Sequence, residues 1–284
     1  MGIYSDVLLT VDYDRTLTAT DSTVPQRNLD AIRYFIENGG AFTVNTGRSM
    51  PMARSFRDTV PVNAPLLLYN GSAAYDTAEE KMLFCHLIHM DPWETVRRCM
   101  ELFPDLTVEI QGLDAHYRFT ENPAWDAFSD HNHCARGFAQ PGDDLGPFLK
   151  FSLYGQIRHV TVADLYSGSP DELRRMDEVE QTLRDVFGEY CEVFRAAGRI
   201  IDVHAKGVSK GRSARELLHR LGRKILVCAG DAWNDLTMME EADFAYAPAD
   251  GIIAPRFETV CSCDEGAVAD IILKKIPEIL GNRA

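Results

Sequence analysis

The stretch Val7-Leu8-Leu9-Thr10-Val11-Asp12-Tyr13-Asp14-Arg15-Thr16-Leu17-Thr18 decides the fold. Its first five residues are apolar or β-branched and too few for a helix, so they predict a buried strand. Two carboxylates follow at i and i+2. Successive strand side chains alternate faces, which puts Asp12 and Asp14 on one side as the chain leaves the sheet. Open α/β sheets bind ligands beyond the carboxyl ends of their strands, so this acidic pair marks the candidate site.

Working outward, a polar loop over 18–23 leads to Pro25 and a helix. Leu29, Ile32, Phe35 and Ile36 recur there at helical spacing, and Gly39-Gly40 stops it. Residues 41–45 read as a second strand ending in Thr46-Gly47-Arg48-Ser49, and 51–57 as another helix. Residues 66–69 read as a third strand closed by Asn70-Gly71. Such alternation predicts a parallel sheet with helices on its faces. From about Asp76 to about Arg195 short alternating segments replace it, with helical candidates over 92–102 and 169–187 and a polar, irregular stretch over 121–146. A long excursion inside an α/β domain predicts an inserted domain. Residues 200–203 are expected to resume the parallel pattern. Ser209 then N-caps a helix carrying Ala214, Leu217, Leu218 and Leu221. Residues 224–229 form a strong apolar strand that runs into Gly230-Asp231-Ala232-Trp233-Asn234-Asp235. The expected fold is α/β: a Rossmann-like parallel core over 1–83 and 196–284, with an inserted α+β cap over 84–195.

The chain has 284 residues, 45% hydrophobic and 25% charged, which is globular composition and excludes disorder. A net charge of −14 disfavours nucleic acid and anionic membrane as partners. An anionic substrate stays open, because a local cluster of cations can invert the field in one pocket. The seven cysteines are scattered without zinc spacing, as expected of reduced thiols in a cytoplasmic protein. No apolar run approaches the roughly 18 residues of a membrane span, and the N-terminus does not read as a secretory signal. A monomer or homodimer is expected.

Four signals fall at predicted strand ends: Asp12 with Asp14, Thr46-Gly47-Arg48, Lys206 with Lys210, and Asp231 with Asn234-Asp235. Converging carboxylates repel and raise the pKa of at least one of them. Sites of that kind hold divalent cations, and all-oxygen ligation favours Mg²⁺ over Zn²⁺. A cation beside a Thr hydroxyl, a Lys ammonium and the helix N-terminus at Ser209 makes a dock for a phosphoryl group.

These residues resemble the haloacid dehalogenase superfamily of phosphatases. The resemblance rests on Asp-x-Asp-x-Thr, a strand-ending Thr, Lys210 in Gly-Val-Ser-Lys-Gly, and Gly-Asp-x-x-Asn-Asp, in that order along nearly the whole chain. The large insertion resembles the Cof-type subgroup, whose α+β cap covers the active site. The resemblance implies a Mg²⁺-dependent phosphomonoester hydrolase acting on a small phosphorylated metabolite, with sugar phosphates foremost. It implies that Asp12 is the nucleophile forming an aspartyl-phosphate, and that Asp14 is the general acid/base. Thr46, Gly47, Lys210 and Asn234 would hold the phosphoryl group. Asp12, Asp14 through its backbone carbonyl, Asp231 and Asp235 would form the metal site, with Asp235 orienting metal-bound water. Arg15 and Arg48 are candidate substrate contacts. A phosphomutase or a sucrose-phosphate-like phosphatase on the same core is the alternative, and a non-catalytic phosphate-binding regulator is the alternative of a different class.

Arg15 stands where the family most often has Gly, so the loop is expected to hold ordinary torsions there. Lys206 reads as a rim charge. His131-Asn132-His133-Cys134 lacks the fourth partner of a zinc site and reads as a solvated loop. Trp93 and Trp125 read as packing aromatics, and Cys261-Ser262-Cys263 as part of a strand.

Overall fold

The computed structural model describes residues 2–120, 122, 136–155 and 168–281. Among these the strands begin with β1 (Val7–Val11), β2 (Ala41–Val44), β3 (Leu66–Leu68), β4 (Ala73–Asp76) and β5 (Lys81–Cys85). They continue with β6 (Thr107–Gly112), β7 (His116–Arg118), β8 (Arg136–Phe138), β9 (Phe148–Tyr154) and β10 (Cys191–Ala197). The last are β11 (Ile200–Ala205), β12 (Ile225–Ala229), β13 (Phe244–Pro248) and β14 (Glu258–Val260). The helices used below are α1 (Gln26–Glu37), α2 (Met50–Ala53), α3 (Pro92–Leu102), α4 (Pro170–Phe187), α5 (Lys210–Arg220) and α6 (Leu236–Glu241). None of the described helices is long and apolar enough to cross a membrane.

The chain divides into two compact units, the first comprising Met1–Gly47, Phe56–Phe84 and Ser209–Ala284, the second Arg48–Ser55 and Cys85–Val208. The first unit is built on a parallel sheet of order β14-β13-β12-β1-β2. Every residue of β1 is buried, as its run of apolar and β-branched residues predicts for a strand covered on both faces. Leu8, Leu226 and Cys228 pack with Ala214, Leu217 and Leu218 of α5 and Met238 and Met239 of α6. Buried Asn28 of α1 donates to Leu17 O (2.9 Å) and accepts from Ala269 N (2.9 Å), tying the acidic turn to the C-terminal helical segments. The register sets Val11 beside Ala229, so Asp12 and Gly230-Asp231 leave the sheet as neighbours.

Residues 66–68, read as one more parallel strand, instead begin a small sheet of order β3-β4-β5 in which β3 and β4 are antiparallel. Among the described residues it joins the main sheet through a parallel bridge between Asn45 and Leu67. The run 261–263 lies beyond β14 and is not strand.

The second unit holds a sheet of order β10-β11-β9-β6-β7-β8, antiparallel except for the parallel β7–β8 pair. Residues 200–203 therefore do not resume the parallel pattern. They sit in β11, hydrogen-bonded between β10 and β9, and the second unit runs on to Val208 rather than ending at 195. A short apolar strand carries no label for its partners, and those partners lie outside its own window. Val108, Ile110, Phe151, Leu153, Val193, Ile201 and Val203 form one core with Val96 and Cys99 of α3 and Met176, Val179 and Leu183 of α4. Helix α4 starts with a full capping box, Ser169 Oγ on Glu172 N and Glu172 on Ser169 N. The residues that alternate with this core are polar yet buried: Glu109, Gln111, Lys150, Ser152, Asp202 and His204. They satisfy one another through Gln111 Nε2 and Tyr154 Oη donating to Glu109 Oε1 (2.8 Å each) and Ser152 Oγ donating to Asp202 Oδ1 (2.7 Å). Among the described residues the free cysteines are Cys85, Cys99, Cys191, Cys228, Cys261 and Cys263.

Candidate active site

Strand β1 ends at Val11, and the amide of Asp12 still donates to Ala229 O (2.9 Å). The chain then closes a tight turn in which Leu17 N donates to Asp12 O (3.2 Å) and Thr18 N to Tyr13 O (2.9 Å). Tyr13 anchors the turn by stacking on Phe56, with ring centroids 4.1 Å apart. Asp14 is placed by this turn and not by strand alternation. Arg15 sits in the left-handed region (φ 59°, ψ 12°), which overturns the expectation of ordinary torsions. For an L-residue that conformation costs about 1–2 kcal/mol. Arg15 N donates to Thr18 Oγ1 (3.0 Å), and its guanidinium lies 3.9 Å from Asp250, both side chains about a third exposed.

Three other loops meet this turn. Lys210 opens α5 behind its N-cap Ser209, and its Nζ donates to Asp12 Oδ1 (2.5 Å) and Asp235 Oδ1 (2.6 Å). Asp235 Oδ2 accepts from the amides of Asp231 and Ala232 (3.0 Å each), so this carboxylate folds its own loop and holds the lysine. Asp231 Oδ1 accepts from Thr16 Oγ1 (3.1 Å), while buried Asp231 Oδ2 has no hydrogen-bond partner among the described residues. Asp12, Asp231 and Asp235 each offer an oxygen, all within 4.8 Å of one another. Three buried carboxylates against one ammonium leave an excess of two negative charges.

The proton affinities follow from that excess. Burial, together with Asp235 and Asp14, pushes the Asp12 carboxyl up to about 7, against the opposing pull of Lys210. Burial first, then Asp235 and Asp12, raises Asp231 well above the carboxylate range. Burial disfavours the Lys210 ammonium, but Asp12 and Asp235 outweigh it and hold the lysine charged. A divalent cation would supply the missing charge, and the orphaned Asp231 oxygen is a ready ligand for one.

Thr46 is buried beyond β2, its amide donating to Leu67 O and its carbonyl accepting from Asn70 N, each 2.9 Å. Gly47 lies so close to Asn70 that a Cβ there would stand 3.0 Å from Asn70 Oδ1. Asn234 Nδ2 donates to the same Oδ1 (3.3 Å). The first unit thus brings together Asp12, Asp14, Thr46, Gly47, Lys210, Asp231, Asn234 and Asp235. Arg48 belongs to the second unit, as does Lys206, whose exposed ammonium donates to Gly188 O (2.6 Å) as a surface charge. Trp125 and His131-Asn132-His133-Cys134 lie outside the described residues. Trp93 donates from Nε1 to Asp143 O (3.0 Å) and packs edge-on against Phe119.

Sequence reading quoted Thr16 within Asp-x-Asp-x-Thr without giving it a role, and passed over Asn45 and the role of Asn70. Buried Asn45 donates from Nδ2 to Lys210 O (2.9 Å), fixing the start of α5. For Asn70 the signal was the pair Asn70-Gly71, read as a strand stop, since Asn and Gly both tolerate left-handed backbone.

A parallel sheet with carboxylates, a lysine and polar loops beyond its strand ends defines an α/β protein with a charged ligand site at that edge. Residues 9–253 match the family of haloacid dehalogenase-like hydrolases, and the chain belongs to that family, in agreement with the Cof-type resemblance of its motifs. It is therefore an enzyme, a hydrolase. A Bacillus subtilis (strain 168) relative, 5-amino-6-(5-phospho-D-ribitylamino)uracil phosphatase YcsE, is 24% identical over 84% of this chain and 82% of its own length. A Haemophilus influenzae relative named a putative phosphatase is 23% identical over 91% of this chain and 92% of its own. Among solved structures, a haloacid dehalogenase-like hydrolase from Bacteroides thetaiotaomicron superposes with a TM-score of 0.77 at 18% identity, covering 94% of this chain and 98% of that one. The subclass IIB sugar phosphatase BT4131 gives a TM-score of 0.74 at 16% identity, covering 96% and 98%.

Proposed function

We propose that this hydrolase is a Mg²⁺-dependent phosphomonoesterase for a small phosphorylated metabolite, foremost a sugar or polyol phosphate, working through an aspartyl-phosphate. The observation that carries the reading is the buried triad of Asp12, Asp231 and Asp235 around one Lys210, with Asp231 Oδ2 left over. Asp12, Asp231 and the Asp14 carbonyl would hold Mg²⁺, with Asp235 beside them. The cation supplies the positive charge that lets an anionic carboxylate meet an anionic phosphate.

Asp12 attacks phosphorus: its Oδ–P bond forms as the P–O bond to the leaving group breaks. Asp14 gives the leaving oxygen a proton, then takes one from the water that hydrolyses the aspartyl-phosphate. Inorganic phosphate leaves, and Asp12 is restored. Lys210, Thr46, the Gly47 amide and Asn234 hold the phosphoryl oxygens, and Asp235 keeps Lys210 in place. Arg15 and Arg48 remain candidate substrate contacts.

The second unit is proposed as the domain that selects the substrate. The names of the relatives support the proposed substrate class, since YcsE is named for a phosphorylated ribityl compound and BT4131 for sugar phosphates. The test is a panel of phosphorylated metabolites assayed with Mg²⁺, comparing wild type with Asp12→Asn and Asp14→Ala. Turnover in wild type, with losses of about 10³-fold or more in both variants, is expected for a nucleophile and its acid/base partner. Equal rates in wild type and Asp12→Asn would overturn the reading.

A further inference from the structure

The turn after β3 joins three of the four loops of the site, and its backbone is unusual. Tyr69 (φ 52°), Asn70 (φ 53°) and Gly71 (φ 96°) are three successive left-handed residues, with Tyr69 and Asn70 almost wholly buried. L-residues adopt that region rarely, and runs of it persist only where surrounding contacts over-determine them. Those contacts are on hand here. Asn70 N donates to Thr46 O (2.9 Å), fixing the Thr46-Gly47 loop. Asn70 Oδ1 accepts from Asn234 Nδ2 (3.3 Å) and lies against Gly47. Gly71 backs onto the first turn of α5, where a Cβ would meet Ser209 O at 2.5 Å and Ser213 Oγ at 2.6 Å. Ser213 Oγ in turn donates to Lys210 O (3.0 Å).

We infer that Asn70 is a positioning residue for the phosphoryl-binding half of the site. Its backbone sets Thr46-Gly47, its Oδ1 orients the Asn234 amide, and the turn it forms seats the helix that carries Lys210. Asn234 has an amide that can rotate, and an acceptor held in a buried, over-determined turn selects one orientation of it. Asn suits the position because it tolerates the left-handed region and still offers an acceptor. This inference rests on the proposed phosphatase reading.

Asn70→Gly is the discriminating variant, since glycine accepts the backbone and deletes only the amide. The expected result is an unchanged melting temperature and a kcat on p-nitrophenyl phosphate lowered about 10- to 100-fold, the scale of a misplaced binding group. On an Asn234→Ala background the same change should cost less than about twofold, because both act through one hydrogen bond. The affinity for orthovanadate with Mg²⁺, measured by calorimetry, should fall in parallel. Wild-type kcat and vanadate affinity in Asn70→Gly, or losses that multiply in the double variant, overturn the inference. If wild type itself shows no turnover, the phosphatase reading fails, and the vanadate comparison still decides the role of Asn70. Should the glycine variant melt early, Asn70→Asp keeps both the left-handed tolerance and the acceptor. Its added charge beside Gly47 should weaken vanadate binding, and an unchanged affinity counts against the inference.

Discussion

Replacing His204 by glutamine should flatten the acid sensitivity of the second unit. His204 lies in β11 opposite Lys150 of β9, fully buried on the polar face of the sheet, with Asp202 two residues away on the same strand. Burial, with help from Lys150 and against the pull of Asp202, drops its pKa to about 3. The folded pKa is thus below the unfolded value of about 6.5, and the unfolded chain takes up the proton first as pH falls. Stability from the neutral imidazole is full above about pH 6.5 and is lost between there and about pH 3. Between pH 7 and pH 5 the native ring stays neutral while the unfolded one titrates, which removes about 2 kcal/mol. That figure hardly depends on how far below 4 the native value lies. Native-state hydrogen exchange of the β11 amides, corrected for intrinsic rates, reads the opening free energy of this sheet. Wild type should lose about 2 kcal/mol more than His204→Gln between pH 7 and pH 5. Parallel pH curves for the two proteins would refute the assignment of a buried neutral imidazole.

Lys210→Met leaves Asp12 and Asp235 without their shared cation. In chelator at neutral pH the variant should lose about 3–5 kcal/mol in urea unfolding, the usual consequence of breaking a buried ion pair. A loss below about 1 kcal/mol would show that the lysine is not the charge partner of the triad. Mg²⁺ added at about 100 times its dissociation constant should stabilise the chelator-treated protein by about 2.7 kcal/mol, read as a rise in melting temperature. Asp231→Asn should erase most of that rise, and an unshifted wild type at saturating Mg²⁺ would exclude the carboxylates as its site.

Much of the first unit was legible because its signals are local. β1 and β12 are short runs of apolar and β-branched residues with polar groups directly after them, and both became inner strands of the parallel sheet. The excursion was read from a change of pattern at about Asp76, where short alternating segments replace the strand–helix alternation. β3 and β11 were misplaced because a strand's partners are chosen by pairing across the fold, a choice that no short window contains. Arg15 was misjudged for a related reason. Its left-handed backbone is held by the contacts of the acidic turn, and residue type states only a preference that such contacts can override.

By itself the sequence determined a set of candidate polar residues: Asp12, Asp14, Thr46, Lys210, Asp231, Asn234 and Asp235, each beside a predicted strand end or helix start. Apolar periodicity is local, and so is the placement of polar groups just beyond it. Only the tertiary structure decided which of these groups share charge. Lys210 stands between Asp12 and Asp235, Asp231 keeps an oxygen with no partner among the described residues, and Asn70 joins the Thr46 and Asn234 loops to one another. Electrostatic and hydrogen-bond energies depend on distance and burial, and the chain brings Lys210 to Asp12 across 198 positions of sequence.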